Sequence, residues 1–393
     1  MTNAAEARLD ADKLIEQACE LAGSDDFGDD DGWRGNLDRL LEDFVAEADL
    51  SPLGVEIAAA DVILPLRNRL QITAWRNEHP EIAGERIEQP IVILGQPRTG
   101  TTILYDLLAQ DPDLRVPLTW EVDNPFPVPQ PDTYDTDPRI AATQAQLEMT
   151  EQLMPGFMKF HPMSARTGQE CVRMFAGTFC SMIYTVQYRL PNYQRWLMHE
   201  ADHAPAYRYH RKYLQHLQSG VPGQWLLKSP AHAWTLDALL TEYPDAILVQ
   251  THRDPLVVIS SISALAAHLQ KLASDGASVT RAATQCAEET ILGLERTMKW
   301  IDDGVVGEDR IIDVQFADFM SDPLATIGSI YERMGRELTP AAERLMREHL
   351  SENPGDGGGG RYRWADTGLD AADLRERVRP YQERFNVPTE TLR

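Results

Sequence analysis

The segment "VILGQPRTGTTILYDLL" (residues 92–108) constrains the fold more than any other part of the chain. It begins with an apolar run, continues through a loop bounded by Gly95 and Gly100, and ends in a run with helical spacing. The two glycines have the spacing of the phosphate-binding motif G-x-x-x-x-G-K-[ST], in which backbone N–H groups at a helix start surround an anion. A strand, a glycine turn and a helix in this order predict a parallel sheet with an anion site at a strand end.

The loop departs from that motif at the lysine, because Thr101 follows the second glycine. Arg98 lies inside the loop, and its planar guanidinium can pair with two oxygens of a phosphate or sulfonate. Thr99, Thr101 and Thr102 add hydroxyl donors. None of the predicted strands ends in the four apolar residues and aspartate that would hold magnesium beside such a loop. The pattern therefore suits an anion that is bound without a metal, and we predict no metal site.

Further apolar runs predict the rest of the sheet. The segments "QWLLKSP", "AILVQTHRDP" and "DRIIDVQFADFMSDP" each have the composition of a buried strand and end in polar residues. The segment "PAHAWTLDALLTEYP" between the first two predicts a crossover helix. This alternation predicts an α/β fold, a P-loop-like three-layer sandwich with a central parallel sheet.

Helical periodicity dominates outside these segments. Residues 10–80 place apolar residues at three- and four-residue steps, which predicts a helical amino-terminal subdomain over residues 1–88. We expect the α/β domain to span residues 89–393, with a helical insertion at about 130–220. The insertion is rich in aromatic residues and methionine, so it is interpreted both as core and as a lid over an apolar pocket.

Composition excludes several classes of function. The 393 residues carry a net charge of −24, which is the wrong sign for binding nucleic acid or an anionic membrane. No apolar run is long enough to cross a bilayer, and the first residues lack the pattern of a signal peptide. The four cysteines lack zinc-site spacing, and we expect a cytoplasmic protein. The acidic segment "GSDDFGDDDGW" matches a calcium loop poorly, and we interpret it as a turn before a helix.

Two separated elements resemble the sulfotransferases that use 3′-phosphoadenosine 5′-phosphosulfate (PAPS). The loop "GQPRTGTT" resembles their 5′-phosphosulfate loop, in the branch with Pro-Arg-[Ser/Thr]-Gly-Thr-Thr. Arg253 in "THRDPLVVISS" and Ser261 eight residues later resemble their 3′-phosphate clamp. The segments "DDFGDDDGWRGNL", "PLTWE", "QWLLKSPAHAWTLDALLTEYPDA" and "RYRWADTGLDAADLRERVRPYQERF" resemble blocks of the bacterial members, so that the resemblance covers most of residues 24–388.

The resemblance implies a PAPS site and roles for its residues. Arg98, Thr99, Gly100, Thr101 and Thr102 are expected at the 5′-phosphosulfate. Arg253 and Ser261 are expected at the 3′-phosphate. Lys228 in "LLKSP" is either a second cation at the departing oxygen or part of a surface ion pair.

The general base and the nucleotide cover are the remaining site predictions. Glu121 in "PLTWE" lies where related families carry a glutamate base, and His161 in "KFHPMS" competes because an unperturbed histidine titrates near neutrality. The glycine-rich segment that ends at Arg361 resembles the loop that covers the nucleotide, with a plain surface loop as the alternative.

The predicted reaction is transfer of a sulfuryl group from PAPS to a hydroxyl of a hydrophobic small molecule or lipid. Two alternatives stay open at this stage. One is an atypical P-loop kinase of small molecules, which the missing lysine at position 101 disfavours. The other is a nucleotide-binding family member without catalytic activity. The sequence leaves the acceptor and the oligomeric state undetermined.

Overall fold

The computed structural model of the chain describes residues 2–29, 31–156, 158, 162–353 and 362–393. These residues form two compact units. The helical unit consists of Met1–Ile87, Pro117–Pro222 and Ala266–Ser278, and the sheet unit of Glu88–Val116, Gly223–Leu265 and Val279–Arg393. The domain bounds predicted from the sequence, 1–88 and 89–393, stay a prediction.

The described part of the sheet unit contains a five-stranded parallel sheet. Its strands are β1 (Ile91–Gly95), β2 (Leu114–Arg115), β3 (Gln224–Lys228), β4 (Ile247–His252) and β5 (Ile311–Gln315). They lie in the order β2-β3-β1-β4-β5, which puts β1 in the centre with every residue buried. In the register, Gly95 lies opposite Thr251 and Ile93 opposite Lys228. The parallel sheet predicted from the sequence is therefore confirmed.

The helices of the sheet unit follow or connect its strands. They are α5 (Thr101–Leu108), α12 (Leu236–Glu242), α13 (Pro255–Gln270, which continues past the unit's bound at Leu265), α14 (Val279–Asp302), α15 (Phe316–Ser321), α16 (Pro323–Arg333), α17 (Pro340–Glu352) and α18 (Ala371–Arg384). The predicted crossover between β3 and β4 has two parts, because a 3-10 helix over Pro230–Trp234 precedes α12.

Helices cover both faces of the sheet. On one face, Ile93 of β1 shares a buried cluster with Leu104 of α5 and Ile330 of α16. On the other face, His252 of β4 stacks on Phe385 at 4.6 Å, and its Nδ1 lies 2.5 Å from the Tyr381 hydroxyl of α18. Successive strand residues point to opposite faces, so both layers follow from one alternating pattern. This is the three-layer arrangement predicted from the sequence.

The described residues of the helical unit contain helices and no strand. These helices are α1 (Thr2–Arg8), α2 (Ala11–Ala22), α3 (Trp33–Ala46), α4 (Pro52–Glu78), α6 (Thr119–Asp123), α7 (Pro138–Leu153), α8 (Cys171–Phe175), α9 (Ile183–Gln187), α10 (Pro191–His199) and α11 (Ala204–Gly220). Leu14, Leu37 and Phe44 are buried, as the helical spacing predicts. The helices expected before residue 88 and within residues 130–220 are present, whereas the covering role of the second set stays a prediction.

The acidic segment before α3 is held by an arginine. Arg69 of α4 donates from Nε to the Phe27 carbonyl at 2.8 Å, and its Nη1 lies 3.0 Å from Asp31 Oδ2. The other oxygen of Asp31 accepts the Trp33 N–H at the start of α3 at 3.3 Å. The segment is therefore a turn that precedes α3, and the Arg69 guanidinium holds it in place.

None of the described helices is long and apolar enough to cross a membrane.

Candidate active site

The loop between β1 and α5 begins where two strands approach closely. Gly95 has a φ of +127°, and a Cβ at this position would lie 2.6 Å from Thr251 Oγ1 and 2.7 Å from the Thr251 carbonyl oxygen. Glycine is therefore required for both the backbone angle and the spacing to β4. This close approach places the loop beside the end of β4.

Arg98 connects this loop to the end of β4. Its φ of +70° is uncommon for a residue with a side chain, and such strain concentrates at functional sites. Arg98 donates from Nε to Ser261 Oγ at 3.1 Å, and its carbonyl accepts from Arg253 Nη1 at 3.3 Å. Three residues predicted at the two phosphates of one nucleotide therefore lie within one hydrogen-bonded cluster.

The threonines of the loop differ in what their hydroxyls contact. Thr99 is 2% exposed, and its hydroxyl donates to the Gln96 carbonyl at 2.6 Å and lies 2.5 Å from Thr251 Oγ1. This hydroxyl stabilises the loop internally. Thr101 is buried at the first position of α5, and Thr102 follows it. The first N–H groups of a helix lack acceptors within that helix, so the turn at Gly100, Thr101 and Thr102 has donors of the kind that bind anions in other proteins.

Lys228 supplies a cation beside this turn. It ends β3, is only 2% exposed, and donates from Nζ to Thr102 Oγ1 at 3.2 Å. Its Nζ also lies 5.2 Å from the centre of the Tyr105 ring. The positive charge that the loop lacks at position 101 is thus present, but it comes from the neighbouring strand. This burial does not fit the alternative interpretation, in which Lys228 is part of an ion pair on the surface.

Arg253 is held by a carboxylate. Its Nε and Nη2 donate to the two oxygens of Glu390 at 2.9 and 3.0 Å, and its guanidinium lies 4.0 Å from the centre of the Phe316 ring. Burial lowers the pKa of Arg253, but the hydrogen bonds and charge of Glu390 outweigh it, so that the pKa is raised from its ordinary value. The guanidinium of Arg253 is therefore protonated, and the Glu390 carboxylate offsets part of its positive charge.

A cavity of about 350 Å³ adjoins this ion pair. Ser260, which is 2% exposed, lines it, and the Ser260 hydroxyl has no hydrogen-bond partner among the residues that the structure describes. The remaining lining residues come from the start of α13 and from two later segments: Arg253, Val257, Tyr362, Trp364, Glu390, Thr391, Leu392 and Arg393. The wall of the cavity therefore contains two arginines, one carboxylate, the hydroxyl residues Ser260 and Thr391, and two aromatic residues.

Glu121 lies in the helical unit, on α6. It is fully buried, and its Oε1 accepts the Leu118 N–H at 2.9 Å, which closes the first turn of the helix. The next two carbonyls of α6 are also held, because Tyr213 donates to Val122 at 2.6 Å and Asn68 to Asp123 at 3.2 Å. The carboxylate is thus on a rigidly positioned turn.

A second cavity, of about 40 Å³, lies within the helical unit beside α6. Val122 and Asp123 line it together with Asp61, which accepts the Tyr188 hydroxyl at 2.6 Å. Burial raises the pKa of the Asp61 carboxyl. Tyr209 also lines the cavity, and its hydroxyl has no hydrogen-bond partner within the described ranges. This volume is enough for a few water molecules or a small polar group.

Two of the predicted site residues lie outside the described residues. They are His161 and Arg361, the latter together with the glycines of residues 357–360. The roles predicted for them stay predictions.

Two residues of the sheet-unit site were missed by sequence reasoning. Glu390 and Phe316 both contact the Arg253 guanidinium. The segment "VPTETLR" around Glu390 carries no motif, and Phe316 follows a strand as one apolar residue among several. Only the tertiary structure brings them to Arg253.

Polar loops at the carboxyl ends of neighbouring parallel strands are the usual ligand sites of α/β proteins. Comparison with known proteins identifies the family of α/β proteins to which the chain belongs. Residues 90–340 match the model of the sulfotransferase family, which is more than half of the chain, and the chain belongs to this family. Family and fold together support sulfotransferase activity.

Two solved structures are similar over nearly the whole chain. Sulfotransferase STF9 from Mycobacterium avium is 29% identical, with a TM-score of 0.88, over 96% of this chain and 97% of that one. Sulfotransferase STF1 from Mycobacterium tuberculosis H37Rv is 31% identical, with a TM-score of 0.82, over 93% of this chain and 97% of that one. No curated protein matches the chain.

Proposed function

We propose that the protein transfers the sulfuryl group of PAPS to the hydroxyl of a hydrophobic small molecule or lipid. The observation that carries the proposal is the cluster of Arg98, Ser261 and Arg253 at the ends of β1 and β4. A nucleotide phosphorylated at both the 3′ and 5′ positions presents two anionic groups, and this cluster offers two guanidinium groups on separate strand ends. A nucleotide with a single phosphate group needs only one of them.

In the proposed reaction, the acceptor oxygen attacks sulfur while the bond between sulfur and the bridging oxygen breaks. The electron pair of that bond passes to the 5′-phosphate of the departing nucleotide. Arg98 and Lys228 stabilise this developing charge, and the buried position of Lys228 strengthens its effect. The N–H groups at the start of α5 bind the same phosphate. No step in this scheme calls on a metal ion.

The acceptor must lose its proton as the new bond forms. We propose that Glu121 is the general base that accepts this proton, with His161 as the competing base. The hydrogen bond from Leu118 to one Glu121 oxygen holds the carboxylate in place. Transfer to a carboxylate inside a buried turn is the general-base catalysis that sulfuryl transfer to an alcohol needs.

The apolar character of the acceptor rests on the insertion over residues 130–220. Met149 and Leu153 on α7 are 63% and 57% exposed, although large apolar side chains are usually buried. A ligand with an apolar body fits such a surface better than a charged one does. We also propose a cytoplasmic location, with which the four free cysteines agree, since disulfides are rare in reducing compartments.

Calorimetry with 3′-phosphoadenosine 5′-phosphate tests the nucleotide assignment. We expect the wild-type protein to bind it without added metal, and Arg253→Ala to weaken binding by about 30-fold or more, because a charge-assisted contact is lost. Arg347→Ala is the matched control, since Arg347 lies on α17 in an exposed pair with Glu343. Equal affinity of the wild type and Arg253→Ala, or binding of ATP with magnesium instead, would refute the assignment and favour the kinase alternative.

A screen of alcohols with labelled PAPS tests the transfer. We expect label in a hydrophobic alcohol and none in a matched compound that lacks the hydroxyl. Tight nucleotide binding with no transfer to any alcohol would favour the non-catalytic alternative.

A further inference from the structure

The ion pair between Arg253 and Glu390 places a carboxylate where the proposed function needs a phosphate. Both Glu390 oxygens accept hydrogen bonds from Arg253, at 2.9 and 3.0 Å. This two-pronged geometry is the one that a guanidinium makes with a phosphate. We propose that Glu390 is a specificity-determining residue that competes with the 3′-phosphate for Arg253 and so sets the affinity for 3′-phosphorylated nucleotides; this inference rests on the proposed function.

The backbone that carries Glu390 is anchored independently of Arg253. The Glu390 N–H donates to Asp254 Oδ2 at 2.6 Å, and Asp254 is in turn held by Arg375 through two hydrogen bonds of 2.6 and 2.7 Å. Further along, the Arg393 carbonyl accepts the Trp364 N–H at 2.6 Å. The segment therefore stays in place when the Glu390 side chain leaves Arg253.

The side chain has room to leave. Its exposure is 35%, against 17% for that of Arg253, and it lines the cavity of about 350 Å³ beside the pair. Rotation of the Glu390 side chain to another staggered rotamer would free the guanidinium. Ser260 lines the same cavity, and its buried hydroxyl lacks a hydrogen-bond partner among the described residues.

This arrangement makes a selective prediction about nucleotides. A ligand with a 3′-phosphate must displace Glu390, whereas a ligand without it leaves the ion pair intact. An ion pair that is partly exposed contributes modestly, so removal of the Glu390 charge should raise the affinity for the 3′-phosphorylated ligand by roughly three- to fivefold. Affinity for a nucleotide without a 3′-phosphate should stay within about twofold.

The test compares Glu390→Gln with the wild type by calorimetry, using 3′-phosphoadenosine 5′-phosphate and adenosine 5′-phosphate, which differ only in the 3′-phosphate, as the paired ligands. Glutamine keeps the size and removes the charge. Glu308→Gln is the matched control, because Glu308 pairs with Arg384 at 2.9 Å on the surface of the same unit. We expect tighter binding of the first ligand only in Glu390→Gln. Unchanged or weaker binding of that ligand would overturn the inference and make Glu390 a support for Arg253.

The double variant Arg253→Ala/Glu390→Gln separates competition from a general change of charge. If the competition acts through Arg253, the gain from Glu390→Gln disappears when the arginine is absent. A gain that persists in the double variant refutes the mechanism. If the wild type fails to bind 3′-phosphoadenosine 5′-phosphate, or Arg253→Ala binds it normally, the proposed function itself fails. These results differ from a failure of the inference alone, in which the wild type binds through Arg253 and Glu390→Gln does not gain affinity.

Discussion

Replacement of Gly95 by alanine tests whether the loop between β1 and α5 is built on the close approach of β1 and β4. The added Cβ would lie 2.6 Å from Thr251 Oγ1 and 2.7 Å from the Thr251 carbonyl oxygen. The hydroxyl can rotate away, but the carbonyl belongs to the paired strand β4 and cannot move without loss of that pairing. The φ of +127° adds a second cost, because a residue with a Cβ rarely adopts it.

The expected loss of stability is the sum of these two costs. A residue held in a sparsely populated backbone region costs about 1–3 kcal/mol. Insertion of a methyl group into a tightly packed region costs about 1–3 kcal/mol more. We therefore expect Gly95→Ala to lower the free energy of unfolding by about 2–6 kcal/mol.

Gly328→Ala is the matched control for this measurement. Gly328 lies on α16 of the same unit, and a Cβ there would meet no atom within 4 Å. Alanine is favoured over glycine inside a helix, so this variant should gain about 0.5–1 kcal/mol. Equilibrium unfolding in denaturant, followed by circular dichroism, measures both changes. A Gly95→Ala protein within about 0.5 kcal/mol of the wild type would refute the steric reasoning.

Three further predictions concern catalysis and pH. Lys228→Met should lower kcat about 100- to 1000-fold with a smaller change in KM for PAPS, because a cation at the departing oxygen acts mainly in the transition state. Steady-state kinetics measures this, with Lys299→Met as the control, since Lys299 is an exposed lysine on α14. Equal kcat in the two variants would contradict the prediction. Glu121→Gln keeps an oxygen that can accept the Leu118 N–H, so the fold should persist while kcat falls about 100-fold or more. Full activity in Glu121→Gln together with loss of activity in His161→Asn would identify His161 as the base instead. Burial lowers the pKa of His216 to about 4 in the folded protein, below its ordinary value of 6.5, so the unfolded chain binds the proton more readily and stability is lost as pH falls from 6.5 to 4. His216→Gln should flatten this part of the stability profile in denaturant unfolding, and an unchanged slope would show that other groups cause it.

Local patterns were sufficient to predict most of the sheet. β1, β3, β4 and β5 are apolar runs bounded by polar or glycine residues, and such runs carry their own signal. β2 was missed because it consists only of Leu114 and Arg115, which is too short for any periodicity. The split crossover was missed because Pro230 and the following residues fit the start of a single helix equally well in sequence.

The site was predictable only where a motif marks it. The glycine spacing identified Arg98, the resemblance to sulfotransferases implied Arg253, and the structure brings the two residues together. The contact of Arg253 with Glu390 joins residues 137 positions apart, and no local pattern encodes such a pair.

The position of Lys228 on β3 has a consequence for folding. The hydrogen bond from Lys228 to Thr102 spans 126 residues of sequence, whereas a lysine at position 101 would have been part of the loop itself. A peptide limited to β1, the loop and α5 would thus contain the backbone of the proposed anion site without this cation. Loop-closure entropy opposes such a distant contact until the sheet is formed. Recovery of nucleotide affinity during refolding should therefore follow the pairing of β1 with β3, so that binding reports on completion of the sheet.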